Sequence, residues 1–363
     1  MMQDVETDTL CPQDGETKRH AVVAMSGGVD SSVAAALLLR QGYRVTGITM
    51  LLFDPEPDAC SDPVRDARTV ADFLEIPHVV ADFRESFRRQ VVEPFFSEYR
   101  NGRTPNPCAR CNRLVKFGLL LNETRRLDGD FLATGHYARI EQDDDGLFHL
   151  RKGADALKDQ SYFLFSLKQE DLARARFPLG QLTKNEVKAL AQEYGLPCAG
   201  AGESQEICFV PNDDYVALLE REGAVEGLDG EIVHVSGAII GRHRGIHRYT
   251  VGQRRGLGIA WPEPLYVVRV DAGSRRVVVG ERPELECSSL TASEVSWIIP
   301  PAAETLTAQC RIRYRHVPTP CTVRLLPEGR ATVGFSSPER GVTPGQVVAF
   351  YDEDELLGGG WIE

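Results

Sequence analysis

Three segments of this sequence carry side chains whose types and spacing could do chemistry. The first is Ser26-Gly27-Gly28-Val29-Asp30-Ser31, set between a short apolar run and a helix-like stretch. Its glycines let backbone amides approach phosphate oxygens, its serine hydroxyls donate further hydrogen bonds, and a following helix N-terminus adds partial positive charge. It lacks the lysine of the Gly-x-x-x-x-Gly-Lys loop and the spacing of Gly-x-Gly-x-x-Gly, so it predicts a phosphate cradle of another kind. A tight turn capped by serine is the blander alternative. The second segment, Gly102-Arg103-Thr104-Pro105-Asn106-Pro107-Cys108-Ala109-Arg110-Cys111-Asn112, holds a Cys-x-x-Cys pair, and the third, Glu203-Ser204-Gln205-Glu206-Ile207-Cys208-Phe209-Val210, holds Cys208. A reactive cysteine needs exposure and a lowered pKa, and Arg103, Arg110 and Arg113 are the nearby cations the sequence offers to Cys108 and Cys111. Half a zinc site is the alternative, but no second Cys-x-x-Cys or paired histidine follows at zinc-ribbon spacing. Cys208 alone, between Ile207 and Phe209, reads as a small buried hydrophobe.

These residues need elements to position them. The run 21–25 reads as a strand, 33–40 as a helix stopped by Gly42, 45–52 as a strand, 64–74 as a helix and 78–81 as a third strand. Strands alternating with helices predict β-α-β units and a parallel sheet. From about residue 228 the texture changes to short β-branched and aromatic segments, such as 266–270, 276–279, 321–326 and 346–351, separated by Gly and Pro, which predicts barrel or sandwich modules. Boundaries fall near Asn212 and near Cys287. Residues 1–17 are acidic, with no basic residue before Lys18, and read as a frayed leader.

The 363 residues suit two to three domains. A charged fraction of 26% and a hydrophobic fraction of 42% exclude disordered, collagen-like and coiled-coil chains. No apolar run approaches the ~20 residues of a membrane helix, and the N-terminus lacks a basic region and apolar stretch of the secretory type, so a cytoplasmic protein is expected. The net charge of −12 argues against non-specific coating of nucleic acid. Two basic clusters stand against that balance: Arg242, His243, Arg244, His247, Arg248, Arg254 and Arg255, and then Arg311, Arg313, Arg315 and His316. Alternation with Ile312 and Tyr314 predicts a strand carrying Arg311, Arg313 and Arg315 on one face. Such clusters are either solvated surface or the docking face for one folded RNA.

Ser-Gly-Gly-Val-Asp-Ser resembles the PP-loop of the ATP pyrophosphatases, which cleave ATP between its α and β phosphates to adenylate an oxygen. Together with the two cysteine segments, Thr134-Gly135-His136-Tyr137, Lys158-Asp159-Gln160-Ser161-Tyr162, Gly252-Gln253-Arg254-Arg255-Gly256-Leu257-Gly258 and Thr343-Pro344-Gly345-Gln346, it closely resembles the bacterial tRNA-specific 2-thiouridylases of the MnmA type. The resemblance runs in one order from about residue 20 to the C-terminus. It implies an α/β fold: a parallel-sheet PP-loop domain of the adenine nucleotide alpha hydrolase-like kind over 18–212, a small central β-rich tRNA-binding domain over 213–287, and a C-terminal β-barrel over 288–363. It implies Mg-ATP as cofactor, adenylation of the C2 oxygen of the wobble uridine in Lys, Glu and Gln tRNAs, and a cysteine desulfurase or sulfur carrier protein as sulfur donor. Cys208 is matched to the persulfide cysteine and Cys111 to the nucleophile that frees the sulfur and can close a disulfide with Cys208. Nucleotide contacts are implied for Ala24, Met25, Ser26, Gly27, Gly28, Val29, Asp30, Ser31, Met50 and Gly135. Contacts to tRNA are implied for Asn106, Pro107 and Cys108 near the target base, and for Lys158, Asp159, Gln160, Arg313 and Tyr314 elsewhere.

One departure stands out, because many members have Asp where this chain has Cys108. A thiol is a weaker hydrogen-bond partner than a carboxylate and does not inherit its role. Cys108, Cys111 and Cys208 could instead ligate three irons of an iron–sulfur cluster, so cluster-dependent thiolation stands beside the persulfide relay. A small-molecule ATP pyrophosphatase ligase is another alternative, although it has no need of the cysteine segments or the basic β-rich half. A tRNA-binding or iron–sulfur scaffold that no longer hydrolyses ATP is the third. His136 is either a nucleotide contact or a structural histidine. Cys11, Cys60, Cys198, Cys287, Cys310 and Cys321 are expected to be packing thiols.

Overall fold

The structure is a computed structural model that describes residues 18–54, 62–200, 202 and 207–363. The acidic leader, Cys11, Cys60 and Glu203 to Glu206 lie outside the described residues.

Strand β1 (His20–Ala24) forms because Ala21, Val22 and Val23 all bury completely between layers of helix. It pairs in parallel with β2 (Arg44–Leu51), which pairs with β3 (His78–Asp82), and on its other side with β4 (Phe131–Ala133). A two-residue strand, Ala175–Arg176, completes the sheet beyond β4. Chain order therefore reverses between β1 and β4. In open parallel sheets ligands bind in the crevice at the carboxyl ends of the strands flanking such a reversal. The loops at residues 25–28 and 134–137 occupy that position.

Helix α1 (Val29–Arg40) begins four residues earlier than its apolar pattern suggests, inside the glycine-serine segment, because Gly28 serves as an extended N-cap. Helix α2 (Pro63–Phe73) starts on Asp62, whose carboxylate accepts from the amides of Val64 and Arg65. Further along, the helix Pro107–Cys111 runs without a break into a wide π-helix, Asn112–Leu120, and then into Leu121–Arg126.

The β-rich half divides in two. Four strands form one sheet in the spatial order Tyr266–Asp271, Arg276–Gly280, Gly230–His234, Ile239–His243 around Ile232, Val267, Val277 and Val279. Six longer strands, from Glu286–Trp297 to Glu355–Ile362, close into a barrel through pairing of the first with the last. Its interior includes Cys310, Cys321, Val323, Val333 and Phe350.

Two features depart from the sequence pattern. A hairpin within the PP-loop domain, Ala138–Gln142 and Phe148–Lys152, adds to the barrel's last strand through Arg151 to Glu355 and Leu150 to Leu356, so one sheet runs across both domains. Arg139 and Arg151 both pair with Asp354 across that seam. The predicted arginine strand is also corrected. The barrel strand Thr305–Arg311 ends at Arg311, which is buried with its guanidinium on the Tyr314 carbonyl where the chain curls, while Arg313 and Arg315 lie exposed beyond the strand.

Candidate functional site

The glycine-serine loop leaves the C-terminal end of β1 and is pinned in place. The Met25 amide donates to Ile48 O at 2.8 Å, and Thr49 Oγ1 donates to Met25 O at 2.9 Å. Gly27 has φ +75°, and a Cβ there would lie 2.5 Å from Cβ of Asp66 on α2, so no other residue fits. Ser31 Oγ donates to Gly28 O at 3.1 Å and accepts from the Ser26 amide at 3.2 Å, which folds the loop over the start of α1. The first amides of α1 have no intrahelical carbonyl to meet, which is the arrangement that takes a phosphate. Gly135 closes the other side, where a Cβ would lie 3.0 Å from Asp30 C and Ser31 N. Ala24 and Met50 are partly buried at the strand ends beneath the loop, and Val29 opens the helix.

Asp30 does not face open solvent alone. Lys184 Nζ lies 2.7 Å from both carboxylate oxygens, and Tyr137 OH donates to Oδ1 at 2.7 Å. Lys184 is the first residue of the helix Lys184–Glu193, capped by Thr183, and its side chain is 9% exposed. A lysine from another element thus meets the loop's carboxylate. Sequence reasoning missed it, although a cation at a helix N-terminus, against the dipole, was a signal that a specific carboxylate awaits it.

Cys111 belongs to the apolar core against which Ala24 and Met50 pack at the strand ends. Asn106 caps the helix Pro107–Cys111, its Oδ1 accepting from the Ala109 amide at 3.1 Å, and Pro107 fills the first turn. Asn106 and Pro107 are buried, whereas Cys108 is exposed. Cys111 follows one turn later and is buried, while Cys208 is exposed on the segment that packs Phe209 against Phe87 and Phe95. Desolvation is the first cause that pushes each thiol up, Cys111 to about 11 and Cys208 to about 12. The sulfurs are near enough to raise one another further: Cys108 acts on Cys111, and both act on Cys208. The opposing charge on all three is Lys116. The arginines expected in that role are engaged elsewhere. Arg103 donates to Glu98 and to Ile362 O, Arg110 lies over the Trp361 ring, and Arg113 pairs with Glu294.

His136 is buried between Thr134 Oγ1, 2.6 Å from Nδ1, and Lys116 Nζ, 3.5 Å from Nε2, with Phe117 and Phe177 against its ring. Burial and then Lys116 hold its pKa well below 6.5, so the ring is neutral.

The conditional iron–sulfur reading finds no ready-made site. Among the described residues no three His, Cys, Asp or Glu side chains are gathered as metal ligands, and Cys108, Cys111 and Cys208 do not form such a set in this conformation. The loop itself fits a nucleotide phosphate. The loop's carboxylate, Asp30, is held by Lys184 and Tyr137.

Of the residues matched to tRNA contacts, Asp159 is buried. Its Oδ1 accepts from the amides of Gly153 and Ser161, and its Oδ2 from Arg311 at 2.7 Å. It presents nothing to an RNA here. Gln160 accepts from the Tyr137 amide and Tyr314 packs on Phe163 at 4.7 Å, whereas Lys158 is half-exposed and Arg313 exposed. In the larger basic cluster His243 and His247 are core residues and Arg248 pairs with Glu220, which leaves Arg242, Arg244, Arg254 and Arg255 exposed. Those four form no ion pair among the described residues.

Comparison with known proteins adds a family. A family model described as a tRNA methyl transferase HUP domain matches residues 19–212, a tRNA methyl transferase PRC-barrel domain matches 217–281, and an aminomethyltransferase beta-barrel domain matches 287–362. The chain is 57% identical over 359 residues to the tRNA-specific 2-thiouridylase MnmA of Geobacter metallireducens, covering 96% of this chain and 98% of that one. It is 56% identical to the protein of that name from Pelobacter propionicus, over 94% and 96% of the two chains. It is 46% identical to that of Carboxydothermus hydrogenoformans, over 95% and 98%. Among the described residues no helix is long and apolar enough to cross a membrane.

Proposed function

This chain belongs to the family of tRNA-specific 2-thiouridylases, and we propose that it thiolates the wobble uridine of Lys, Glu and Gln tRNAs through an adenylated intermediate and a cysteine persulfide. As a tRNA-modifying enzyme it binds tRNA and uses ATP. In the proposed sequence the C2 oxygen of uridine attacks the α phosphate of ATP and diphosphate leaves. The persulfide on Cys208, loaded by a desulfurase or sulfur carrier in the cytoplasm, then attacks C2 with its terminal sulfur and expels AMP. Cys111 as thiolate attacks the inner sulfur of Cys208, which breaks the bond to the transferred sulfur, leaves C2=S on the base and closes a Cys111–Cys208 disulfide. A dithiol reductant must reopen it before the next turnover.

What supports this reading is the glycine-serine loop folded for a phosphate at the carboxyl end of β1, in a chain 57% identical to a tRNA-specific 2-thiouridylase over nearly its whole length. The glycine-serine loop and the start of α1 would hold the ATP phosphates, and Mg2+ would enter as their counter-ion.

The adenylation step is tested by AMP release. Formation of AMP from Mg-ATP is expected to require unmodified tRNA; AMP formed equally well without tRNA, or with a small acid in its place, would return the ligase alternative. Asp30→Ala is expected to lower tRNA-dependent AMP release and thiolation together by at least ~10-fold, because it removes the loop carboxylate and with it the ion pair that ties the loop to Lys184. Unchanged AMP release in that variant would remove Asp30 from the nucleotide site.

A further inference from the structure

We infer that the cavity at the seam between the PP-loop domain and the C-terminal barrel seats one phosphodiester of the tRNA beside the target base, with the Arg110 guanidinium as its partner. The inference rests on the proposed thiolation of tRNA and on the match of Asn106 to Cys108 to the target base.

The walls of the cavity come from both domains. On one side stand the helix Glu93–Arg100 and the turn that leads through Pro105 into the helix Pro107–Cys111; on the other stand Ser293, Glu294, Gly345 and Trp361 of the barrel. Hydrogen bonds fix the two sides together. The Thr104 amide donates to Pro344 O at 2.9 Å, and Gln346 Nε2 donates to Thr104 O at 3.0 Å and to Pro105 O at 3.1 Å. Gly345 has φ +91°, and a Cβ there would lie 2.8 Å from Thr104 O, so the close approach of the two walls needs glycine. The cavity measures about 80 Å³, several times what one water needs, so a phosphate group has room.

Charge decides what the cavity takes. Its charged side chains are Glu98, Arg103, Arg110 and Glu294. Glu98 accepts from Arg103 Nε at 2.8 Å and Glu294 from Arg113 Nη1 at 2.8 Å, so both carboxylates are balanced. Arg110 is not: among the described residues its guanidinium meets no hydrogen-bond or ion-pair partner, only the Trp361 ring, whose centroid is 5.3 Å away. That ring is a fixed platform, 6% exposed and packed edge-on against Phe165 at 5.6 Å. A guanidinium held over it keeps its rigid fork of donors for an oxyanion, to which it can donate two parallel bonds. The indole N–H of Trp361 is also buried without an acceptor among the described residues, so this corner of the seam is short of acceptors.

Place decides where the phosphate comes from. Asn106 and Pro107 form part of the same wall, and Arg110 follows the exposed Cys108 by two residues. A strand that offers its base to this segment brings its flanking phosphates along the same surface, where contacts set register and carry no sequence information.

The test uses full-length protein and glutamate tRNA in which one linkage at a time in the anticodon loop is an uncharged methylphosphonate. In wild type, one such linkage beside the wobble uridine is expected to weaken binding several-fold; in Arg110→Gln the same linkage should make no further difference, because the charge it met is gone. Arg110→Gln should also make the fall of log affinity with log salt shallower by about 0.7, the share of one phosphate on a single strand. If that variant does not fold, Arg110→Met, whose apolar stem can still cover the ring, takes its place. Methylphosphonate effects of equal size in wild type and variant at every anticodon-loop linkage, or an unchanged salt slope, would overturn the inference. So would retention of labelled inorganic phosphate in equilibrium dialysis by wild type and not by Arg110→Gln when no linkage couples to Arg110, since the seat then belongs to a free anion. Failure of the unaltered protein to bind tRNA at all would overturn the reading underneath, and it is told apart because it shows before any substitution is made.

Discussion

Cys208→Ser is expected to lose 2-thiolation entirely while tRNA adenylation remains measurable. A serine oxygen cannot carry a transferable sulfur in a persulfide, so the variant has no nucleophile to offer C2. The parts proposed for adenylation lie on other elements, the loop at residues 26–31 on β1 and α1 and Gly135 after β4. With ATP labelled at the α phosphate, label is expected to accumulate on tRNA to near one equivalent per enzyme, because the AMP ester is made and not displaced. Cys111→Ser should differ, since it leaves the persulfide cysteine in place and removes the group that frees the sulfur; tRNA is then expected to remain covalently attached to the protein. Normal thiolation by Cys208→Ser would contradict the proposed chemistry outright.

The second large effect is expected in stability. Asp159→Ala should destabilise the protein by about 3–5 kcal/mol, the cost typical of breaking a buried ion pair from one side. Arg311 and Asp159 meet at 2.7 Å with side chains 10% and 4% exposed, and the guanidinium lies among the rings of Tyr162, Tyr314 and Tyr351. Removing the carboxylate leaves a charge with little water and also frees the amides of Gly153 and Ser161. Replacing both partners with apolar residues of similar size, as in Asp159→Leu with Arg311→Met, should recover much of the loss, because no unpaired charge remains. Urea unfolding followed by the fluorescence of Trp297 and Trp361 would report it. An unchanged midpoint combined with weaker tRNA binding would show instead that the pair opens to meet RNA.

The pair also marks where the sequence stops being legible. The alternation of Arg311, Arg313 and Arg315 with Ile312 and Tyr314 cannot reveal that Arg311 turns inward, because its partner Asp159 lies in another domain and the curl at Tyr314 accompanies that pairing. By contrast, β1, the glycine-serine loop and α1 were legible, since apolar runs and turn residues act locally. The Cys108 and Cys111 spacing was legible for the same reason. Lys184 and the π-helix over 112–120 were not: the lysine meets Asp30 from a distant helix, and no apolar periodicity announces a wide turn. His243 and His247 looked basic in composition but are buried, where desolvation lowers their pKa. Burial, which composition does not contain, separates the exposed arginines of that cluster from its core histidines.

The central claim is that the pocket beside the phosphate loop moves sulfur from Cys208 to the uridine base at the expense of ATP. It is tested most directly by incubating iron-stripped protein with Mg-ATP, unmodified glutamate tRNA, a persulfide donor and a dithiol reductant, and then examining the digested nucleosides by mass spectrometry. The account predicts 2-thiouridine at catalytic turnover, dependent on ATP and absent in Cys208→Ser. Formation of 2-thiouridine only after anaerobic reconstitution of an iron–sulfur cluster, or none at all from folded protein with a competent donor, would contradict it.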